Sequence, residues 1–151
     1  MALDVNQLLA MSQSELDQLF ESSQAGPIPQ GQAEGTAIVD PGTELSPIAA
    51  RFIHIFAWKG KVFDPQRGIL YNRILPMGEQ AVIAKVYRGN SWLDDKDCIV
   101  LDYSQTSLIA HWIRDEIREV APHLYLGIVY WDRAKLLNFA LSFPDGSAAQ
   151  Q

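Results

Sequence analysis

Short apolar segments follow one another closely in the second half of the chain, and they constrain the fold more than any other feature. They are rich in aromatic and β-branched residues and are separated by turn-forming residues such as Asp64-Pro65, Gly68 and Gly89-Asn90. The connections are too short for a crossover helix, so neighbouring segments are expected to pair as antiparallel strands. The segments are KVFDPQRGILYNRILPMG, a hairpin; QAVIAKVY, a strand that ends at Tyr87; DCIVLDYS; HLYLGIVYW; and KLLNFALSF.

The stretch HWIRDEIREV, residues 111–120, permits two secondary structures. As a helix it would place Ile113, Ile117 and Val120 on one apolar stripe and would end before Pro122. Local periodicity favours this helix. The neighbouring segments are both strands, however, and a strand here completes a run of roughly seven to eight, enough to curl into a small barrel. We therefore favour the strand and keep the helix as the alternative.

If this stretch is a strand, alternation divides its residues between two faces. One face carries Asp115 between Ile113 and Ile117. The other face carries a charged row beneath a tryptophan: Trp112, Arg114, Glu116 and Arg118. If the charged row faces an enclosed space, it lines a site. If it faces outward, it is solvated surface, and Asp115 and His111 are the better candidates.

The N-terminal segment predicts a helix. Ser12, with Glu15 three residues later, forms a capping-box pattern, and Leu16, Leu19 and Phe20 continue it as an apolar stripe. The stretch AGPIPQGQAEG then ends the helix with two prolines and three glycines. We expect the helix to cover apolar surface of the domain, with a lid over one end as the alternative.

A second helix is predicted over residues 47–58, because Ser46 is a good N-cap and Pro47 suits the first helical position. The chain of 151 residues suits one domain. The expected organisation is an N-terminal helix over 1–25, a linker and extended arm over 26–45, a barrel domain with its leading helix over 46–143, and a loose tail over 144–151.

Composition and charge exclude several classes of function. The net charge is −6 and no basic run is present, which argues against nucleic acid or an anionic membrane as partner. The N-terminus lacks a basic signal-peptide region, and no apolar run reaches the roughly 20 residues that a membrane helix needs. A protein of the cytoplasm, without membrane insertion, is expected. The single cysteine, Cys98, excludes an intrachain disulfide and is expected to be a buried, inert thiol.

Strong catalytic and metal-binding motifs are absent from the sequence. There is no phosphate-binding glycine loop, no G-x-S-x-G turn and no H-E-x-x-H pair. His54, His111 and His123 do not have a standard metal spacing. We therefore expect neither a metal nor another cofactor.

Two groups of polar residues lie in the predicted strands. Tyr71, Asn72 and Arg73 belong to the first hairpin, where an inward Asn72 could orient a carbonyl; surface pairing across strands is the plainer interpretation. Asp102 and Tyr103 lie at the end of a strand, where barrel mouths gather polar groups. A turn-forming aspartate with a packing tyrosine is the plainer interpretation there.

The third group is the charged stretch itself. A carboxylate of Asp115 or Glu116 that is buried against apolar walls would have a raised pKa and could act as a general acid or base. The same carboxylate beside an arginine would have a lowered pKa and a structural role, and mutual pairing is the plainer interpretation. In a pocket, Arg114 or Arg118 could instead hold a carboxylate ligand through two hydrogen bonds.

The strand progression DEIREV, LYLGIVYW and NFALSF, with its aromatic content, resembles the calycin-type barrels, which include lipocalins and fatty-acid-binding proteins. The resemblance covers roughly residues 60 to 143 and concerns the fold. The lipocalin Gly-x-Trp signature is absent, since Trp58 precedes Gly60 in AWKGK. The predicted helices and strands together indicate an α+β fold that is mainly antiparallel β, a small barrel with N-terminal helices. The resemblance implies that such a barrel encloses one small apolar ligand. Some related small barrels act as cyclases or isomerases.

These observations lead to three hypotheses of function. The first is a module that binds a small apolar or amphipathic molecule in a barrel pocket. The second is a cofactor-free acid–base enzyme, of isomerase, cyclase or hydratase type, with Asp102, Tyr103, Asp115 and Glu116 as proton-transfer groups. The third is an interaction protein whose exposed aromatic residues form a homodimer interface. The candidate ligand-binding residues are Tyr71, Asn72, Arg73, Trp92, His111, Trp112, Arg114, Arg118, Tyr125 and Trp131.

Overall fold

The computed structural model describes residues 3–38, 61–74, 78–104 and 111–144, with the backbone alone for 72–74 and 78–82. These residues form two helices and nine strands. The helices are α1 (Val5–Leu9) and α2 (Gln13–Ser22). The strands are β1 (Gly31–Gln32), β2 (Glu34–Ile38), β3 (Lys61–Asp64), β4 (Ile69–Ile74), β5 (Gly78–Asn90), β6 (Asp97–Asp102), β7 (Ile113–Ala121), β8 (Leu124–Trp131) and β9 (Ala134–Ser142).

The strands form one antiparallel sheet in the order β1-β3-β4-β5-β6-β7-β8-β9-β2. The two edge strands are successive parts of one extended segment, residues 31–38, which pairs with β3 through its first part and with β9 through its second. Between them, the Ala33 N–H donates to the Lys61 carbonyl at 2.8 Å. The segment therefore joins both edges of the sheet, and the fold is a nearly closed small barrel of the α+β class, as predicted.

Each face of the sheet has its own apolar core. The interior core includes Phe63, Leu101, Ile117, Val129 and Phe139. The outer core lies between the sheet and the helices and includes Leu8, Leu16, Phe20, Leu126 and Ile128. Strands β6 to β9 are therefore covered on both faces, which explains why β8 is apolar along nearly its whole length instead of alternating with polar residues.

The predicted capping box begins α2. The Ser12 hydroxyl accepts a hydrogen bond from the Glu15 N–H at 3.2 Å, and the Glu15 carboxylate accepts one from the Ser12 N–H at 2.9 Å. A separate helix, α1, precedes it with a second capping box formed by Asp4 and Gln7. The prediction that the N-terminal helix covers apolar surface is confirmed, because Leu16 and Phe20 pack on the outer face of the sheet.

The ambiguous stretch contains a strand, β7, over residues 113–121, so the helix alternative is wrong. Glu116 lies opposite Val100 on one side and Ile128 on the other, so β7 is hydrogen-bonded to two neighbours. The β7–β8 turn has the left-handed backbone, φ 63°, at His123. Pairing on both sides outweighed the local helical periodicity, because each face of β7 meets a different core.

Several boundaries differ from the predictions. Residues 31–38, expected as the end of a linker followed by a short strand or extended arm, form two strands that complete the sheet. Strand β5 continues through Asn90, where the sequence predicted a break at Gly89-Asn90, because Gly89 and Asn90 still pair with Cys98 and Asp97. The predicted hairpin of β3 and β4 is confirmed, with Gly68 at φ 66° in its turn. The predicted helix over residues 47–58 and residues 145–151 of the tail lie outside the described residues.

Candidate functional site

Strand β7 carries charged residues to both faces of the sheet. Asp115 faces the barrel interior between Ile113 and Ile117, both members of the interior core. Arg114, Glu116 and Arg118 face the outer side. The charged row predicted for one face therefore exists, and it lies outside the barrel.

The interior contains a buried charged group, which we call the Lys61 cluster: Lys61, Tyr103 and Asp115. Both side chains of the ion pair are 0% exposed, and Lys61 Nζ lies 3.3 Å from Asp115 Oδ2. Lys61 Nζ also donates a hydrogen bond to the Tyr103 hydroxyl at 2.8 Å. Strands β3 and β7 and the end of β6 thus place three polar groups together in an apolar interior.

Neither carboxylate oxygen of Asp115 accepts a hydrogen bond among the described residues. Lys61 contacts Oδ2 closely enough for an ion pair, and no other donor among the described residues reaches either oxygen. Burial raises the pKa of Asp115 to about 6, and the nearby charge of Lys61 opposes that rise. Burial also lowers the pKa of Lys61, against the opposing charge of Asp115. Both shifts favour the neutral forms of the pair.

Aromatic and small side chains surround the Lys61 cluster. The Lys61 ammonium lies 5.4 Å from the centre of the Tyr103 ring and 5.7 Å from that of Phe139. The Phe139 ring lies against Gly127, where an added Cβ would come within 2.2 Å of a ring atom. Ala33 and Ala84 are also interior residues. Gly127 therefore makes room for the Phe139 ring beside the Lys61 cluster.

On the outer face, Glu116 is fully buried and has a complete set of donors. One oxygen accepts from the Ser91 hydroxyl at 2.6 Å. The other accepts from the Trp92 N–H at 2.8 Å and from Arg114 Nε and Nη2 at 3.1 and 3.0 Å. The carboxylate fixes the turn between β5 and β6 against β7, so its observed role is structural.

Arg118 is the matching structural residue at the other end of the charged row. Its guanidinium donates to both oxygens of Asp94 at 2.7 and 2.8 Å. It also donates to the carbonyls of Phe20, Lys96 and Asp97 at 2.7, 3.1 and 3.0 Å. These hydrogen bonds hold the pKa of Asp94 below its usual range. The charged row is therefore buried structure that joins α2 and the β5–β6 turn to the sheet, and the prediction of solvated surface for an outward row is wrong.

A surface hollow of about 270 Å³ lies beside this row. Trp92, 40% exposed, stands between two guanidinium groups, those of Arg114 at 4.3 Å and Arg133 at 4.8 Å from its ring. Trp112, 51% exposed, lies on the rim, with its ring 4.5 Å from that of His111. This hollow is polar and open, unlike the barrel interior.

The predicted site residues thus divide between the two faces instead of forming one site. Tyr103, Asp115 and Tyr125 are interior, and Trp131 packs against the interior core as a partly buried residue. Tyr125 is held by a hydrogen bond from its hydroxyl to the Pro27 carbonyl at 2.7 Å. Tyr71 is half-buried on β4, and Asn72, described by its backbone, lies opposite Lys61 in the sheet, next to Arg73. The outer residues are Asp102, Glu116, Arg114, Arg118, Trp92, His111 and Trp112.

Asp102 is separate from its neighbour Tyr103 because successive strand residues face opposite ways. Its carboxylate accepts from the Tyr87 hydroxyl at 2.8 Å and from the Ser104 N–H at 2.9 Å. Partial burial pushes the pKa of Asp102 upward, but the hydrogen bonds from Ser104 and Tyr87 outweigh it and leave the pKa below its ordinary value. Asp102 is thus an ionised surface residue at neutral pH.

Sequence reasoning missed Lys61, which the structure places at the centre of the interior cluster. The signal was present in KVF, where Lys61 shares a strand face with Phe63. A lysine that alternates with a core aromatic residue at the start of a strand is a candidate for an inward charge.

Cys98 is buried, as expected, and burial raises the pKa of its thiol to about 12. Among residues 3–38, 61–74, 78–104 and 111–144, no three His, Cys, Asp or Glu side chains stand close enough together to hold a metal ion. The same ranges contain no helix that is long and apolar enough to cross a bilayer.

Comparisons with known proteins support the barrel fold. No family model and no curated protein matches the chain. Among solved structures, a protein from Thermomonospora curvata is similar, with a TM-score of 0.60 and 18% sequence identity over 87% of each chain. At this identity the likeness concerns the fold alone. The chain therefore shares a nearly closed, mainly antiparallel barrel with a bacterial protein.

Proposed function

We propose that the protein binds a small amphipathic molecule inside the barrel, in the manner of calycin-type barrels. The apolar body of the ligand would lie among the interior aromatic residues, and its polar head would reach the Lys61 cluster. The observation that carries this proposal is the Asp115 carboxylate, which is completely buried and accepts no hydrogen bond from the described residues.

The energetics support a ligand at this position. A buried polar group without a hydrogen bond costs about 1–3 kcal/mol, and more when it is charged. Buried polar groups in native folds nearly always have a hydrogen-bond partner, so a group without one calls for an explanation such as a bound ligand, ion or water. A ligand head that donates to Asp115 or accepts from Lys61 would supply the missing partner, so binding would recover part of the cost of burial.

Native mass spectrometry of the purified protein, together with thermal shifts in decanol and decanoic acid, tests the proposal. We expect a bound species or a rise in Tm for the parent chain, and a smaller rise for Lys61→Met. Lys85→Met is the matched control, since Lys85 is exposed on β5 and should leave binding unchanged. A clean unliganded mass with no thermal shift for either compound contradicts the proposal.

Acid–base catalysis in the same interior is a second candidate, favoured by the proton affinities of the Lys61 cluster. With the pKa of Asp115 at about 6 and that of Lys61 lowered, the pair could exchange a proton with a substrate near neutral pH. The reaction class that fits is a cofactor-free isomerisation of a small hydrophobic compound. Turnover of a β,γ-unsaturated ketone, followed by absorbance, should be lost in Asp115→Asn and kept in Asp102→Asn. Equal turnover in parent and Asp115→Asn contradicts this candidate.

A homodimer stays a prediction. Tyr87, Trp92 and Trp112 are the exposed large hydrophobic residues among those described, which is the feature a dimer through aromatic residues requires. Light scattering of the parent and of a Trp112→Ala variant across concentrations tests it. A monomer at every concentration contradicts it.

A further inference from the structure

The chemical surroundings of Lys61 narrow the class of ligand that the barrel interior could bind. The ammonium group is completely enclosed, and its polar neighbours include the Tyr103 hydroxyl at 2.8 Å and the Asp115 carboxylate at 3.3 Å. The rings of Tyr103 and Phe139 lie close beside it. An amine in such an enclosure, with a proton acceptor in contact, meets the requirements of a nucleophile for carbonyl compounds.

We propose that Lys61 forms an imine with an apolar aldehyde or ketone that occupies the barrel, with Asp115 as the proton carrier and counter-ion. This inference rests on the proposed binding function and names its ligand class. It differs from simple binding in predicting a covalent bond to one identified atom, Lys61 Nζ.

The step balances with the groups that are present. In the neutral form of the pair, Lys61 is an amine and Asp115 a carboxylic acid, so the pair carries one transferable proton. The amine nitrogen attacks the carbonyl carbon, a C–N bond forms, and the nitrogen proton moves to the oxygen to give a carbinolamine. The C–O bond then breaks, and the hydroxyl leaves as water with the proton from Asp115. The products are a protonated imine on Lys61, the Asp115 carboxylate and one water molecule.

The environment of Asp115 suits this sequence. Its oxygens have no donor among the described residues, so they are available to the carbinolamine hydroxyl and then to the iminium N–H. The Tyr103 hydroxyl, in contact with Lys61 Nζ, can donate to the carbonyl oxygen once the amine no longer donates to it. Complete burial keeps bulk water from the imine, which slows its hydrolysis.

The competing explanation of the Lys61–Asp115 pair is that it only stabilises the fold. The Arg114–Glu116 pair on the outer face shows how a structural ion pair in this protein is hydrogen-bonded. Glu116 is fully buried and Arg114 is partly buried, and both are hydrogen-bonded to the end of β5 or to the β5–β6 turn. The Lys61 cluster joins β3, β6 and β7 without satisfying Asp115. The Asp115 carboxylate therefore lacks the donors that fix the structural carboxylate of Glu116.

Reductive trapping on the unmodified chain tests the inference. The protein is incubated at neutral pH with decanal and sodium cyanoborohydride, which reduces an imine to a stable secondary amine. Peptide mapping by mass spectrometry then compares the Lys61 peptide with the Lys85 peptide. Because burial lowers the pKa of Lys61 and binding would hold the aldehyde beside its amine, we expect Lys61 to be labelled at least about tenfold faster than exposed Lys85.

Two variants and one analogue separate the outcomes. Asp115→Asn should reduce trapping at Lys61 by about tenfold or more and leave Lys85 labelling unchanged, whereas Lys85→Met should leave Lys61 labelling unchanged. Decanol has the same chain and cannot form an imine. If decanol raises Tm but decanal labels Lys61 no faster than Lys85, the imine is overturned and the binding function stands. If neither compound raises Tm and Lys61 is unlabelled, both proposals fail.

Discussion

Asp115 and Glu116 are consecutive residues of β7, both are completely buried, and they face opposite sides of the sheet. Glu116 accepts four hydrogen bonds from Ser91, Trp92 and Arg114. Asp115 accepts none from the described residues, although Lys61 lies 3.3 Å away. The same strand thus contains one satisfied carboxylate and one unsatisfied carboxylate.

The difference shows that burial of a charge does not by itself indicate a functional site. The outer carboxylate and its arginines replace water with fixed donors and join three parts of the fold, so their removal should affect stability. The inner carboxylate has one ion pair, with Lys61, and a raised pKa, so its removal should affect chemistry more than folding. Substitutions of matched residues on the two faces test this contrast.

The largest effect is expected for Arg118→Ala. It removes five hydrogen bonds and leaves Asp94 and three backbone carbonyls without their partner. Breaking a buried pair in this way costs about 3–5 kcal/mol of the free energy of unfolding, measured by urea denaturation. Arg88→Ala is the control, since Arg88 forms an exposed pair with Asp97 and should cost less than about 1 kcal/mol. Similar losses of unfolding free energy in both variants would contradict a structural role for the charged row on the outer face.

The stability of the folded protein should depend on pH through the raised pKa of Asp115, the inner carboxylate. The folded pKa of Asp115, about 6, lies above its unfolded value of 3.8, so the native state binds more protons between these values. The contribution of Asp115 to the free energy of unfolding therefore falls as pH rises from about 4 to about 6. A pKa shift of roughly two units corresponds to a fall of about 3 kcal/mol. Urea denaturation of the parent and Asp115→Asn at several pH values measures it. Asp115→Asn should gain stability relative to the parent over this window; a constant difference would contradict the raised pKa.

Glu116→Gln should cost about 2 kcal/mol, because an amide cannot accept all four hydrogen bonds and turns its NH2 group toward donors. Urea denaturation measures the loss. Asp102→Asn is the control on the same outer face, where the carboxylate is partly exposed and accepts two hydrogen bonds. It should cost less than about 1 kcal/mol. Equal losses in the two variants would mean that the burial of Glu116 does not increase its contribution to the free energy of unfolding.

The smallest effect is expected for the double variant Lys61→Met with Asp115→Leu. Replacing a buried ion pair with apolar residues of similar size often leaves stability unchanged or raises it. We expect a free energy of unfolding within about 1 kcal/mol of the parent, or higher, by urea denaturation. A large loss would assign the pair a structural role like that of Glu116 and would remove the contrast between the two faces.

Much of the fold follows from local sequence patterns. The capping box of Ser12 and Glu15, the hairpin turn at Gly68 and the apolar strands β6, β8 and β9 were predicted, because each depends on neighbouring residues. The closure of the sheet by residues 31–38 was not, because it depends on two pairings distant in sequence. The strand at β7 was favoured only through its neighbours, since its local periodicity indicates a helix.

The candidate site was predictable in part. Tyr103 and Asp115 were identified from their positions at a strand end and in the charged stretch, but they were grouped with Asp102 and Glu116, which face the other way. Lys61, distant in sequence, was not identified. The alternation of a strand separates two faces but does not say which is enclosed.

The sequence by itself determined the antiparallel strands, the start of the covering helix and the division of β7 into one face with Asp115 and another with Glu116, because these depend on side-chain alternation and turn residues. The tertiary structure decided which face is the barrel interior and which buried charge receives donors. That choice depends on residues brought together from separate elements, such as Lys61 beside Asp115 and Ser91 beside Glu116. Two adjacent carboxylates therefore have similar local sequence and different physical chemistry.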